Sequence, residues 1–167
     1  CKVLFGDYNP AGRLPVTAAR SVGQIPVYYA LPRGSGYVAA GHTGMIRNKN
    51  GYINDSAFPL YYFGHGLSYT TFAYSDLEIA EKELSPEEEL EVTVKVTNTG
   101  EYDGEEVVQL YVSDDVASMV RPTMELAGFT RVFIPKGESR TVRFKMKATQ
   151  FAFLNEAMEW TVEKGTM

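Results

Sequence analysis

Gly66-Leu67-Ser68-Tyr69-Thr70 stands one residue away from Gly-X-Ser-X-Gly, the strained turn that presents a serine nucleophile in many hydrolases. The second glycine of that turn exists because packing of strand against helix leaves no room for a Cβ. Thr70 occupies the place here, and an extended rather than a helical pattern follows, so Ser68 is not read as a nucleophile. His65 and His42 are the only histidines, and neither has a second imidazole, a thiol or a carboxylate at ligand spacing, so no zinc site is expected. His65, between Gly64 and Gly66, is expected to donate a structural hydrogen bond. Asp114-Asp115 carries oxygen atoms suited to calcium, but an isolated acidic pair at a strand end is usually solvated turn chemistry. Gly34-Ser35-Gly36-Tyr37-Val38-Ala39-Ala40-Gly41 has its third glycine five positions after the second instead of three, with no helical pattern behind it, so it is no dinucleotide cradle. The acids of 76–106 fall on loops and outer strand faces; none pairs visibly as acid and base, although pairing across space stays open. Cys1, the sole cysteine, permits no internal disulfide and reads as a chain-end or buried strand residue rather than a reactive thiol. The residues thus nominate no catalytic, cofactor or metal-binding group and leave substrate-binding residues undefined.

Aromatic side chains make up 13% of the chain, and rings of this kind stack on sugars. Tyr28, Tyr29, Tyr37 and Tyr52 lie in a loop-rich stretch where a binding surface would sit; rings packing a seam between two domains are the favoured alternative. The same choice applies to Tyr111, Phe129, Phe133, Phe151, Phe153 and Trp160, whose mixed spacing suits a core better than a flat platform.

Two textures position these residues. Residues 1–57 are punctuated by Pro10, Gly12, Pro15, Pro26, Pro32, Gly34, Gly44 and Gly51, leaving short apolar runs and no sustained helical period. A segment of this kind does not bury enough apolar area to offset its own conformational entropy and must lie against something else. From about residue 73 the pattern becomes alternation: Val92, Val94 and Val96 with Thr93, Lys95 and Thr97; Val108, Leu110 and Val112 with Gln109 and Tyr111; Val142, Phe144 and Met146 with Arg143, Lys145 and Lys147. Period two with one polar face predicts half-buried antiparallel strands, separated at Asn98-Thr99-Gly100, Asp103-Gly104 and Pro135-Lys136-Gly137. Adding 72–80, 126–134 and 151–162 gives about six strands, one short of an immunoglobulin-like sandwich. Between them, Ser85-Pro86-Glu87-Glu88 either starts a short helix with Ser85 as N-cap or, as favoured, forms a solvated acidic loop. Cys1-Lys2-Val3-Leu4-Phe5-Gly6 reads as the middle of a strand entering a turn, and Lys164-Gly165 as a hairpin turn whose second strand follows. The expectation is a piece of a larger protein.

Composition bounds the class. Hydrophobic residues at 44% and charged residues at 22% are ordinary for a globular chain. A net charge of −5 argues against nucleic acid, and no apolar run reaches the roughly 18 residues of a membrane span.

Three stretches, Leu4–Tyr29 (LFGDYNPAGRLPVTAARSVGQIPVYY), Phe58–Phe72 (FPLYYFGHGLSYTTF) and Arg121–Met146 (RPTMELAGFTRVFIPKGESRTVRFKM), resemble in order and spacing the C-terminal portion of glycoside hydrolase family 3, the β-glucosidases, β-xylosidases and related exo-acting enzymes. The resemblance implies a mostly β chain: a fibronectin type III-like sandwich over 73–167 without its final strand, preceded by the loop-rich end of an α/β sandwich domain over 1–57, with 58–72 connecting them. It implies that the catalytic aspartate and glutamate lie on parts of the family not matched here, so no catalytic residue is carried over and the chain itself is expected to be inactive. The implied role is that of an accessory part of a retaining enzyme releasing terminal β-linked glucose or xylose. Its partners would be the rest of the same enzyme, a β-linked oligosaccharide in the full assembly, and a second copy in a possible homodimer; no cofactor is implied. A carbohydrate- or protein-binding β-sandwich module is the alternative. Tyr62 stands where the family commonly has proline, and 33–54 is the least family-like stretch. Arg33, His42 and Arg47 there are candidates for the leaving-group side of a sugar.

Overall fold

β-branched residues at every second position give long strands here because the pleat turns them all to one side, where they pack together. In the computed structural model, which describes residues 1–32, 56, 58–80 and 83–166, β1 (Phe72–Ile79), β2 (Glu89–Asn98) and β5 (Ser139–Lys147) form one antiparallel sheet in the order β1-β2-β5. β3 (Gly104–Val112) and β4 (Glu125–Ile134) form a second. Val92 lies opposite Phe144, Val94 opposite Val142 and Leu90 opposite Met146. These side chains meet Val108 and Ile134 from the facing sheet, and Val96 and Ile134 are fully buried. Gly128 lets the sheets close: a Cβ there would press on the Phe144 ring. This is the mostly β sandwich that the alternation predicts.

The sandwich is open on one side. Among the described residues β3 pairs only with β4. Beside it a cleft of about 370 Å³ runs between the sheets, lined by Tyr74, Val92, Val94, Val108, Leu110 and Phe144. No helix among the described residues is long and apolar enough to cross a membrane.

Several local expectations are corrected. Residues 2–5 form a one-turn helix, α1 (Lys2–Phe5), not a strand; Gly6 adopts φ 83° and caps it, its N–H and that of Asp7 bonding to the carbonyls of Val3 and Lys2. Cys1 is exposed. The 151–162 run is not one strand but a 3₁₀ turn (Ala148–Phe151) followed by a small hairpin of β6 (Phe153–Leu154) and β7 (Trp160–Thr161). Asn155 forces the reversal by accepting the N–H groups of Ala157 and Glu159 on its side chain. Beyond β7 the Thr166 carbonyl accepts the Asp115 N–H at 3.1 Å. Around Ser85 the favoured loop is what forms, a turn in which Glu88 accepts the Ser85 N–H at 2.8 Å.

Candidate functional site

The polar chemistry of the molecule concentrates where residues 9–18, the 58–72 connection and the first strands of the sandwich meet. The connection is laced to the N-terminal segment by backbone hydrogen bonds of 2.8 Å: Leu14 N–H to His65 C=O, Gly64 N–H to Leu14 C=O, Ala18 N–H to Tyr61 C=O and Leu60 N–H to Ala18 C=O. Prolines at 10 and 15 keep the segment extended for this pairing. Gln24, almost fully buried, finishes the lacing: its side-chain carbonyl accepts the Arg20 N–H, and its amide donates to the carbonyls of Ser56 and Phe58.

Two glycines set how closely the pieces approach. Gly64 adopts φ 78°, and a Cβ there would run into the Gln109 amide and the Tyr111 hydroxyl of β3. The Gln109 amide donates to Gly64 C=O at 3.1 Å and accepts the Tyr111 hydroxyl. A Cβ on Gly66 would meet the Gly12 carbonyl and the Arg13 side chain. Gly64 thus faces the sandwich and Gly66 the N-terminal segment.

Asn9 and Asn98 act as polar hubs. Asn9 accepts the Ser68 hydroxyl at 3.0 Å and the Tyr69 N–H at 2.8 Å, and donates to Asp103 C=O just ahead of β3. Asn98, fully buried at the end of β2, accepts the Thr70 hydroxyl at 2.7 Å and the Gly100 N–H, and donates to the carbonyls of Tyr102 and Ile134. All the hydrogen-bonding capacity of a buried amide is thereby satisfied.

Beneath them lies a charged triad. Arg13 reaches Glu106 of β3 at 2.6 Å, and the other carboxylate oxygen accepts the Tyr74 hydroxyl of β1 at 2.8 Å. Both ionic side chains are largely withdrawn from water, 16% and 8% exposed. Burial, and then the carboxylate it donates to, push the Tyr74 phenol well above its ordinary range. A weaker fastening lies on the outer sheet surface, where Arg131 bonds both Glu105 and the Tyr8 hydroxyl at 2.7 Å. Tyr29 stacks on Phe63 at 4.1 Å between ring centres, and Phe63 meets Tyr111 edge-on.

The residues singled out in the sequence fall into this frame or away from it. Ser68 is committed to Asn9 and the Thr70 N–H. His65 departs from expectation: its backbone, not its ring, makes the hydrogen bonds, and the ring stacks on Tyr61. Tyr29 and Tyr111 are seam residues, whereas Tyr28 is exposed. Phe153 is buried under the Arg121 guanidinium and Phe151 is half-buried, but Phe129, Phe133 and Trp160 point to solvent, contrary to a core assignment for all of them. In β4 the reason is phase: Val132 and Ile134 hold the core side, so Phe129 and Phe133 at the odd positions point outward. Asp114 lies 4.0 Å from Arg121, and no group of three metal-ligating side chains assembles among the described residues. Arg33, His42, Arg47, Tyr37, Tyr52 and the 34–41 glycines lie outside the described residues. Sequence reasoning missed Asn9, Arg13, Tyr74, Asn98 and Glu106. The available signal was phase: Glu106 and Asn98 occupy the alternation positions of Val108 and Val96, where a polar side chain needs a buried partner.

A glycosyl hydrolase family 3 C-terminal domain model matches residues 1–69, and a fibronectin type III-like domain model matches residues 106–167. The chain is 42% identical over 164 residues to a periplasmic beta-glucosidase of Salmonella typhimurium, covering 98% of this chain and 21% of that protein. It is 39% identical over 164 residues to a putative beta-xylosidase of Formosa agariphila, covering 98% and 20%. Among solved structures, a beta-glucosidase from Listeria innocua in complex with glucose superposes with a TM-score of 0.84 at 35% identity, covering 97% of this chain and 22% of that one. A b-glucosidase from Erythrobacter marinus superposes with a TM-score of 0.82 at 40% identity, covering 97% and 20%. The chain spans about a fifth of the length of the curated relatives it matches.

Proposed function

Because the chain belongs to glycoside hydrolase family 3, matching its C-terminal and fibronectin type III-like domains, we propose that it is the accessory part of an exo-acting, retaining β-glycosidase that releases terminal β-linked glucose or xylose. Relatives named for both sugars support the substrate class. The observation that carries the accessory role is the junction: among the described residues, Asn9, Arg13, Gln109 and Glu106 spend their polar groups on joining residues 9–14 and the 58–72 connection to the sandwich.

Retaining hydrolysis needs two carboxyl groups about 5–5.5 Å apart, one of them kept protonated as the acid. The withdrawn carboxylate here, Glu106, is consumed by Arg13 and Tyr74. Among the described residues, the carboxyl groups that depart from ordinary acidity do so in the wrong direction for an acid. Glu88 is lowered by the Ser85 N–H, Glu101 by the Lys136 ammonium and Glu163 by the Ser118 hydroxyl. On this reading the chain alone turns over no substrate. Its contribution is to clamp residues 1–32 against the sandwich and present them to the rest of the enzyme.

The purified chain, assayed on aryl β-glucosides and β-xylosides, is expected to show no turnover. Grafted into the Salmonella relative in place of the 164 residues it matches, it is expected to sustain that protein's activity. Turnover by the chain alone, or a soluble but inactive graft, overturns the reading.

A further inference from the structure

We draw no further inference here: the strongest candidate, the apolar cleft between the sheets beside the edge of β3 that stays unpaired among the described residues, carries nothing beyond the fold already described, since its filling by one more strand restates an established property of fibronectin type III-like sandwiches.

Discussion

The sandwich and the segment that precedes it are held by opposite means. Between β1 and β5 the buried side chains are Val92, Val96, Val108, Ile134, Val142, Phe144 and Met146, a contiguous apolar cluster. In the first 32 residues the one buried apolar side chain is Ala11, while Leu4, Phe5, Val16, Val22 and Ile25 face outward. What fixes that segment is polar and directional: Asn9, Arg13, Gln24 and a backbone ladder along 60–65. Apolar burial, at roughly 25 cal/mol per Å², stabilises a fold without specifying one arrangement to the last ångström. Hydrogen bonds contribute about 1 kcal/mol each but fail once geometry slips, and leave a desolvated group behind when they do. The difference teaches which half carries stability and which carries placement.

Removing apolar volume from the sandwich tests the first half of that comparison and should have the largest effect. Ile134→Ala empties a fully buried site and is expected to cost about 2–5 kcal/mol in urea denaturation. The N-terminal segment should be lost in the same transition, since its anchors on β3 vanish with the sheet. An N-terminal segment that stays protected from hydrogen exchange after the sandwich melts would break the comparison.

Next is the triad. Glu106→Leu strands the Arg13 guanidinium in a mostly dry site and is expected to cost about 2–3 kcal/mol, less than a fully buried pair because Arg13 keeps some solvent. Adding Arg13→Leu should restore most of the loss in a double-mutant cycle, because the orphaned charge is then gone. If the double variant is no better than the single one, Glu106 serves the sheet and not the junction.

The strands were legible because alternation is a local property: Val92, Val94 and Val96 declare their face within five residues, whatever lies across the core. The junction was not, because its bonds join residues far apart in the chain. Arg13 and Glu106 are 93 positions apart and Asn9 and Ser68 59, and nothing in either sequence neighbourhood names the partner. Nor does the sequence around Gly64 and Gly66 name the neighbour that each glycine admits, Gln109 and Tyr111 for one and Gly12 and Arg13 for the other. α1 and the Asn155 hairpin escaped for another reason: one turn of helix and strands of two residues are shorter than any period that betrays them. Phe129 and Phe133 were misassigned on the spacing of the rings alone, whereas Val132 and Ile134 hold the core side of β4 and leave the odd positions outside.

Gly66→Ala separates the two halves more finely. Its Cβ would strike the Gly12 backbone, which cannot rotate away, whereas the sandwich lies on the Gly64 side. Loss of about 1–2 kcal/mol is expected, confined to the attachment. The urea midpoint of the sandwich should hold while hydrogen exchange accelerates at Leu14 and Ala18. A shift of the sandwich midpoint itself would mean that the join is part of the sandwich core.

The smallest expected effect belongs to the exposed surface and is visible only through pH. Glu101 is held below its ordinary 4.5 first by the hydrogen bond from the Lys136 ammonium and then by its charge. A carboxylate depressed in the folded state adds stability that is present above the unfolded value and disappears as pH falls through the folded one. Lys136→Met should therefore lower the urea midpoint slightly at neutral pH, with the two proteins converging as the pH drops below the unfolded value of 4.5. Fully solvated pairs are weak, so the neutral-pH gap should be far smaller than that of Glu106→Leu. A gap as large as the triad's would show that this loop, too, is an anchor, and the division between an apolar half that supplies stability and a polar half that supplies placement would fail at its simplest point.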